Sequence, residues 1–241
     1  MILPSAVVIP NYGGSAYRCE RHNPLFCFDW VSRNWDAVLW PALREHIVLT
    51  VVAVALGFAI STALALAAYR LRWLERPVVA VTLVFYTIPA IALFELLVGV
   101  SWLGLSTLTA EVALVSYTLL ILFRNILTGL REVPEDVRDA ARGMGMNARQ
   151  LLWRVELPLA LPAIVAGLRI ATVTVISLAT IAPLISVESL GTPIFAAISD
   201  NLFKTELIAA GGLAVLLAVA ADGAFVLIQR RLAPWTRVRT R

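Results

Sequence analysis

The chain has 241 residues, of which 60% are hydrophobic and only 15% are charged, and its mean hydropathy is +0.83. Because a soluble domain has about half apolar and about a quarter charged residues, this composition excludes a disordered chain and argues against a water-soluble globule. The length leaves room for about five membrane spans of ~20 residues. The net charge of +4 comes from arginines at the ends of apolar stretches, which is typical of membrane proteins rather than nucleic-acid-binding proteins.

Residues 1–43 are predicted to form an extracytoplasmic segment that precedes the first span. The segment lacks the basic start and the unbroken apolar run of a signal peptide. Trp30, Trp35 and Trp40 follow one another at intervals of five residues, which favours a helix lying at the membrane surface. For residues 1–25 a poorly ordered tail is an equally good interpretation.

The only two cysteines of the chain, Cys19 and Cys27, both precede the first span. Together with the only two histidines, His22 and His46, they match no familiar spacing of zinc ligands, so no metal site is predicted. The cysteines are either two free thiols or a disulfide. A disulfide would persist only if the N-terminus lies outside the cytosol.

Five apolar stretches are long enough to cross a membrane. They cover about residues 47–69, 77–100, 108–127, 160–183 and 206–228. Pro89 lies inside the second stretch and is expected to kink it. On the first stretch, Gly57, Ser61 and Ala65 recur at a four-residue spacing, which either allows close helix packing or only reflects an alanine-rich composition.

Ionisable side chains inside these spans need a separate explanation, because charge is costly in lipid and usually faces protein or water. Glu95 and Arg169 belong either to a polar path or gate, or to pairs between helices, and Asp222 has the same two interpretations. Tyr86 and Pro89 in the second span are further pathway or gating candidates, Tyr86 because aromatic faces attract cations. Such rings also serve simply as packing between spans.

Positive charge is distributed unevenly between the two sides of the predicted bundle. If the long polar segment before the fourth span is cytoplasmic, 14 Arg lie on that side and five Arg or Lys on the other. Positive residues accumulate on the cytoplasmic side, so we expect the N-terminus outside and the C-terminus inside. Residues 230–241 would then form a basic cytoplasmic tail.

The long polar segment, residues 131–158, is predicted to form two short helices. Pro134 suits the first turn of a helix, and the two acids that follow suit its positive end. Gly145 provides a hinge, and Asn147 is placed to cap the second helix with Gln150 as its reciprocal partner. The alternative is a plain connecting loop, but the length and the double capping favour a surface that docks another protein.

The residues of this segment resemble the EAA loop of binding-protein-dependent ABC importer permeases. That pattern reads Glu-Ala-Ala, three residues, Gly, nine residues, Ile, one residue and Leu-Pro. The register is kept throughout, with aspartate in place of glutamate and valine in place of isoleucine. The matching residues are Asp139, Ala140, Ala141, Gly145, Val155, Leu157 and Pro158.

Further segments resemble the quaternary-amine branch of these permeases, which carries glycine betaine, choline, carnitine or related osmoprotectants. They are residues 46–50, 87–93, 124–129, 140–150 and 155–169, and the resemblance spans about residues 46–228. Arg169 matches the Gly-x-Arg pattern of the family, which favours a structural or gating role. Residues 185–191 depart from the branch, because three of its usual glycines are replaced.

The resemblance implies an all-α membrane protein with the transmembrane domain of a type I ABC importer in residues 44–229. It implies that a pair of ATP-binding subunits docks on residues 131–158, alongside a second permease subunit of the same or a similar chain. An extracytoplasmic substrate-binding protein would deliver the cargo. The chain would be a multi-pass protein of the bacterial inner membrane, in contact with lipid and not with nucleic acid. It would need no cofactor, since ATP belongs to the partner.

The residues disfavour other classes of function. An intramembrane enzyme needs a paired nucleophile and base or metal ligands such as HExxH, and only His46 lies near a span. Nucleotide hydrolysis through a phosphate-binding loop is excluded because Lys204, the only lysine, has no glycines before it. A passive channel has no need of an ATPase dock. Within transport, an importer of another small solute, such as an amino acid or a phosphonate, stays open as the alternative.

Overall fold

Long apolar runs without helix breakers form the longest elements of the chain. The computed structural model describes residue 19 and residues 22–200 and 202–232, and every regular element in these ranges is helical. The α-helices are α1 (Phe28–Asn34), α2 (Trp40–Arg70), α3 (Glu75–Thr87), α4 (Ala90–Val98), α5 (Thr107–Arg131), α6 (Glu135–Gly143), α7 (Ala148–Leu151), α8 (Leu157–Ala179), α9 (Gly191–Ser199) and α10 (Lys204–Leu232). π-helical turns at Trp35–Leu39 and Leu152–Glu156 join α1 to α2 and α7 to α8.

Four helical stretches are long and apolar enough to cross a membrane. They are Phe28–Arg70, Thr107–Arg131, Ala148–Ala179 and Lys204–Leu232. The pair of α3 and α4 passes the same test together but is bent by 97°. With this pair counted as one, the described chain has five candidate spans, in agreement with the prediction of about five.

The break between α3 and α4 is much sharper than the kink that the sequence predicts. Ile88 precedes Pro89 and has an extended backbone (φ −67°, ψ 129°), because a proline disfavours the helical conformation of the residue before it. The Ile88 carbonyl accepts a hydrogen bond from the hydroxyl of Tyr117 on α5. A side chain of the central helix therefore satisfies a backbone group that the break sets free.

Most of α5 is buried, and this helix packs against α2, α3, α4 and α8. Small residues allow the approach: a Cβ on Gly57 of α2 would overlap the hydroxyl of Thr118 on α5. Ser61 and Ala65 are also fully buried, and the Ser61 hydroxyl donates to the Leu119 carbonyl at 3.3 Å. The four-residue spacing on the first span therefore marks a contact between spans of one chain.

A disulfide closes the N-terminal segment over the end of the bundle where α10 begins. Cys19 and Cys27 are bonded to each other, which settles the choice that the sequence left open. The Asn23 side-chain amide donates to the Leu202 carbonyl at 2.9 Å, and its oxygen accepts from the Lys204 backbone N–H at 2.9 Å. This arrangement ties the start of the described chain to the start of the last span.

The three tryptophans of this segment have different surroundings. Trp30 is buried and packs edge-to-face on Phe203, with ring centroids 5.3 Å apart, whereas Trp40 is half exposed. The helix that carries them continues into α2 through the π-turn, so it differs from a separate helix lying flat on a membrane. Of residues 1–25, for which a poorly ordered tail was the alternative, residues 1–18, 20 and 21 lie outside the described residues.

The segment between the fourth and fifth predicted spans contains the short helix α9. Its first residue must be small, since a Cβ on Gly191 would overlap the Thr180 carbonyl oxygen. The buried ring of His46 accepts from the Leu190 N–H at 3.3 Å through Nδ1 and lies 3.0 Å from the Ile176 carbonyl through Nε2. At the C-terminus, the predicted boundary between residues 229 and 230 falls inside α10, and residues 233–241 lie outside the described residues.

Candidate functional site: the α6–α7 loop and the intramembrane charges

The first helix of the polar loop begins as the sequence predicts. Pro134 precedes α6, and Glu135 and Asp136 occupy its first turn. After α6 the chain turns at Gly145, whose φ of +80° favours glycine. No atom lies within 4 Å of a Cβ built on Gly145, so the backbone alone, and not packing within the chain, restricts this position.

The predicted capping box at the start of the second loop helix is confirmed. Asn147 Oδ1 accepts from the Gln150 N–H at 2.9 Å, and Gln150 Oε1 accepts from the Asn147 N–H at 3.0 Å. The helix does not end before the span, however, because α7, the π-turn and α8 form one helical stretch over Ala148–Ala179. A displacement of α7 would therefore be transmitted directly to the span.

The three residues of the EAA pattern in α6 differ in their exposure to solvent. Ala141 is 1% exposed and packs under the helix, whereas Ala140 and Asp139 are exposed. Asp139 Oδ1 already has a partner within the chain, since it accepts from Arg142 Nη1 at 2.8 Å. The exposed face of α6 thus contains Ala140, Asp139 and Arg142.

The second half of the EAA pattern packs against the spans instead of being exposed. Val155 lies in the π-turn, and Leu157 and Pro158 begin α8. All three are half buried, and Leu157 packs against the hydrophobic cluster around α5. These residues hold the loop to the spans rather than extend the exposed face of α6.

An ion-pair network that the sequence analysis missed lies beneath α6. Arg138 Nε is 3.1 Å from Glu156 Oε1, and the two side chains are only 14% and 5% exposed. Arg138 Nη2 also donates to the Leu130 carbonyl at 2.8 Å, and the Tyr69 hydroxyl donates to Glu156 Oε1 at 2.7 Å. The network connects α6 with the ends of α2 and α5 and with the turn that leads into α8.

Glu135 extends this network to the surface of the loop. Its two carboxylate oxygens accept from Arg138 at 2.8 Å and from Arg142 at 2.9 Å. These hydrogen bonds, that from Arg138 first, lower the pKa of Glu135. A lowered pKa means that the carboxylate favours the folded loop at neutral pH and loses this contribution only as the pH falls through that lowered pKa.

Within the spans, Arg169 of α8 and Asp222 of α10 form a two-pronged ion pair. Arg169 Nε donates to Oδ1 at 2.8 Å and Nη2 donates to Oδ2 at 2.9 Å. The two side chains are 33% and 40% exposed. These two residues therefore form a pair between helices, and one flank of the pair is exposed.

The other pathway candidates lie near the break between α3 and α4. Tyr86 is 42% exposed and packs edge-to-face on Tyr117, with ring centroids 6.2 Å apart. Pro89 is exposed at the break itself, and Glu95 is exposed on α4. Among the described residues no ion pair joins Glu95 to Arg169, whose carboxylate partner is Asp222.

Comparison with known proteins matches the chain to a family and to named permeases. The profile of the family described as "Binding-protein-dependent transport system inner membrane component" matches residues 44–235. The choline transport system permease protein OpuBB of Bacillus subtilis is 33% identical over 191 residues, which cover 79% of this chain and 86% of that protein. The osmoprotectant import permease protein OsmW of Salmonella typhimurium is 36% identical over 194 residues, covering 79% and 89%.

A solved structure shares the arrangement of helices. The inward-facing MetNI methionine ABC transporter superimposes with a TM-score of 0.73, covering 81% of this chain and 96% of that chain. The sequences are 23% identical. This likeness shows that the fold is that of an ABC importer transmembrane domain.

Proposed function

Because the chain belongs to the family of binding-protein-dependent transport system inner membrane components, we propose that it carries a quaternary-amine osmoprotectant into the cytoplasm as the permease subunit of an ABC importer. The family consists of multi-pass proteins of the bacterial inner membrane that work with ATP-binding subunits and substrate-binding proteins. Choline and osmoprotectant permeases at 33% and 36% identity support the cargo class. Glycine betaine, choline and carnitine are the first cargoes to test.

The observation that carries the proposal is the α6–α7 loop, with its exposed helix face and its buried ion-pair network. A pair of ATP-binding subunits would grip the exposed face of α6 around Ala140, while a second permease subunit completes the path. ATP would bind to these partners, and this chain would hold no cofactor. Closure of the ATPase pair would shift α6, and the Arg138–Glu156 pair would pass the shift to three spans.

The test uses two glycines of the loop that differ in backbone conformation. Gly145→Asp is expected to abolish ATP-dependent uptake while the chain still reaches the membrane, because it strains a position with φ +80° on the ATPase side. Gly143→Asp is the matched control, since Gly143 is also exposed and also has no atom within 4 Å of a built Cβ. Normal uptake by Gly145→Asp, or equal loss in both variants, would contradict the coupling role.

The cargo is tested separately from the coupling. Uptake of radiolabelled glycine betaine, choline and carnitine is measured in cells that produce the chain with its neighbouring transporter subunits. We expect uptake of at least one of them to disappear with a hydrolysis-deficient ATPase subunit. If none is taken up while a labelled amino acid or phosphonate is, the importer role stands and the cargo assignment fails.

We also propose that the N-terminus lies outside and the C-terminus lies in the cytoplasm. The excess of positive residues on the loop side supports this orientation. The disulfide between Cys19 and Cys27 supports it independently, because disulfides persist in oxidising compartments rather than in the cytosol.

A further inference from the structure

The seam between α8 and α10 has two flanks of different chemistry. On the side of α2 lies a groove of about 380 Å³ whose lining is apolar except for two threonines. Its lining includes Val51 of α2, Thr172 of α8 and Phe225 of α10. On the other side lies a cavity of about 450 Å³ that contains the Arg169–Asp222 pair together with Ala166, Ile170, Val173 and Thr174.

The charged flank lies deep in the membrane-spanning part of the molecule. Arg169 is about 18 Å from the start of α8 at Leu157 and about 15 Å from its end at Ala179, at 1.5 Å per helical residue. Side chains that are 33% and 40% exposed at this depth would meet lipid if nothing else covered them. Ionised groups in that position are expensive, so the flank must face water or protein.

We propose that this charged flank of α8 and α10 lines the water-filled path of the cargo, and that the Arg169–Asp222 pair keeps this stretch of the path electrically neutral. The inference rests on the proposed transport function and names the part of the chain that the cargo passes. A lone carboxylate at this depth would hold a cationic cargo, and a lone guanidinium would repel it. The Arg169–Asp222 ion pair neither holds nor repels such a cargo. The apolar groove on the opposite flank suits lipid tails.

The experiment compares two variants that each carry one introduced cysteine. The two cysteines lie at the same depth in the membrane, one on each flank of the seam. Val173 is 37% exposed beside the ion pair. Val51 is 60% exposed and shares the apolar groove with Thr172, the neighbour of Val173 in the chain. The probe is a trimethylammonium-ethyl methanethiosulfonate, which needs an aqueous route to a thiol. It is applied to open membrane sheets from cells that produce the full chain with its partner subunits.

We expect Val173→Cys to react at least tenfold faster than Val51→Cys, although Val51 is the more exposed residue in the isolated chain. The unsubstituted protein gives the background, because its two cysteines are joined in a disulfide. A rate for Val173→Cys equal to or below that of Val51→Cys overturns the proposal, whether lipid or a partner helix covers the flank.

A second arm tests the neutralising role of the pair. Rates are measured with the cationic probe and with an anionic sulfonatoethyl methanethiosulfonate. In Val173→Cys combined with Asp222→Asn, the anionic-to-cationic rate ratio should rise about fivefold, as expected for one unit charge roughly 8 Å away in water. Combination with Arg169→Gln should lower the ratio by a similar factor. A ratio unchanged in both overturns this role.

These readouts separate the inference from the proposed function. If Val173→Cys reacts rapidly but no osmoprotectant is taken up, the aqueous path stands and the cargo assignment fails. If osmoprotectant uptake is normal and Val173→Cys is inert, the transport role stands and this inference fails.

Discussion

At the scale of single residues, the buried pair under α6 is the contact whose loss should matter most for stability. The side chain of Glu156 is buried, at 5% exposed, and that of Arg138 is 14% exposed. Removing one partner of a buried pair costs about 3–5 kcal/mol, because the other charge is left without compensation. We therefore expect Arg138→Met to lower the free energy of unfolding by about 3 kcal/mol, measured on the purified permease in detergent.

Tyr69→Phe is the matched control for this prediction. It removes one hydrogen bond to the same carboxylate oxygen of Glu156 but leaves the charge pair intact. The expected loss is about 1 kcal/mol. If Arg138→Met destabilises the protein no more than Tyr69→Phe does, then the pair is solvated and does not connect α6 firmly to the spans.

At the scale of helices, the fold depends on how closely α2 approaches α5. Gly57→Ala would place a methyl group on the Thr118 hydroxyl, so either the side chain or the helix must shift. Overpacking of this kind costs about 1–3 kcal/mol, and we expect a corresponding fall in the thermal unfolding temperature. Gly212→Ala in α10 is the control, since no atom lies within 4 Å of its built Cβ. Equal effects in both variants would contradict the close contact.

The helices also show which parts of the fold can be predicted from the sequence. Three local features were predicted correctly: the start of α6, the turn at Gly145 and the capping box at Asn147. Each of them depends only on residues that lie within three positions of each other in the sequence. Composition and periodic apolar runs were sufficient for the spans and, with the loop motif, for the family. The Tyr69–Glu156 contact joins residues 87 positions apart, and no local pattern encodes such a distance.

The same reason explains the remaining differences. Pro89 predicts a kink in the second span, but its size of 97° is not encoded locally, and the backbone carbonyl freed at the break is bound by the Tyr117 hydroxyl of another helix. The helix α9 was missed because its glycine, proline and polar neighbours resemble a link, and its position depends on contact with Thr180. The partner of Arg169 could be guessed only as one of several ionisable residues in the spans.

At the scale of the whole molecule, the proposed orientation predicts the behaviour of reporters fused to the C-terminus. A fluorescent protein that matures in the cytoplasm should be bright there, and an alkaline phosphatase that needs an oxidising compartment should be inactive. The reason is that α10 ends in basic residues, which accumulate on the cytoplasmic side. The reverse pattern would contradict the orientation.

The cysteines provide an independent control for the same orientation. In unreduced cells a thiol-alkylating reagent should leave the chain unmodified, and after reduction it should label two positions, Cys19 and Cys27. Labelling without reduction would contradict the disulfide and remove its support for this orientation.

The bonds between Asn23 and residues 202–204 also constrain the order in which the molecule is built. These partners are about 180 positions apart, so a ribosome exposes the first long before it has synthesised the second. Trp30 therefore lacks its partner ring until Phe203 has been synthesised and α10 is in place. The closed N-terminal segment therefore forms only after synthesis has passed Lys204, whose backbone N–H it binds.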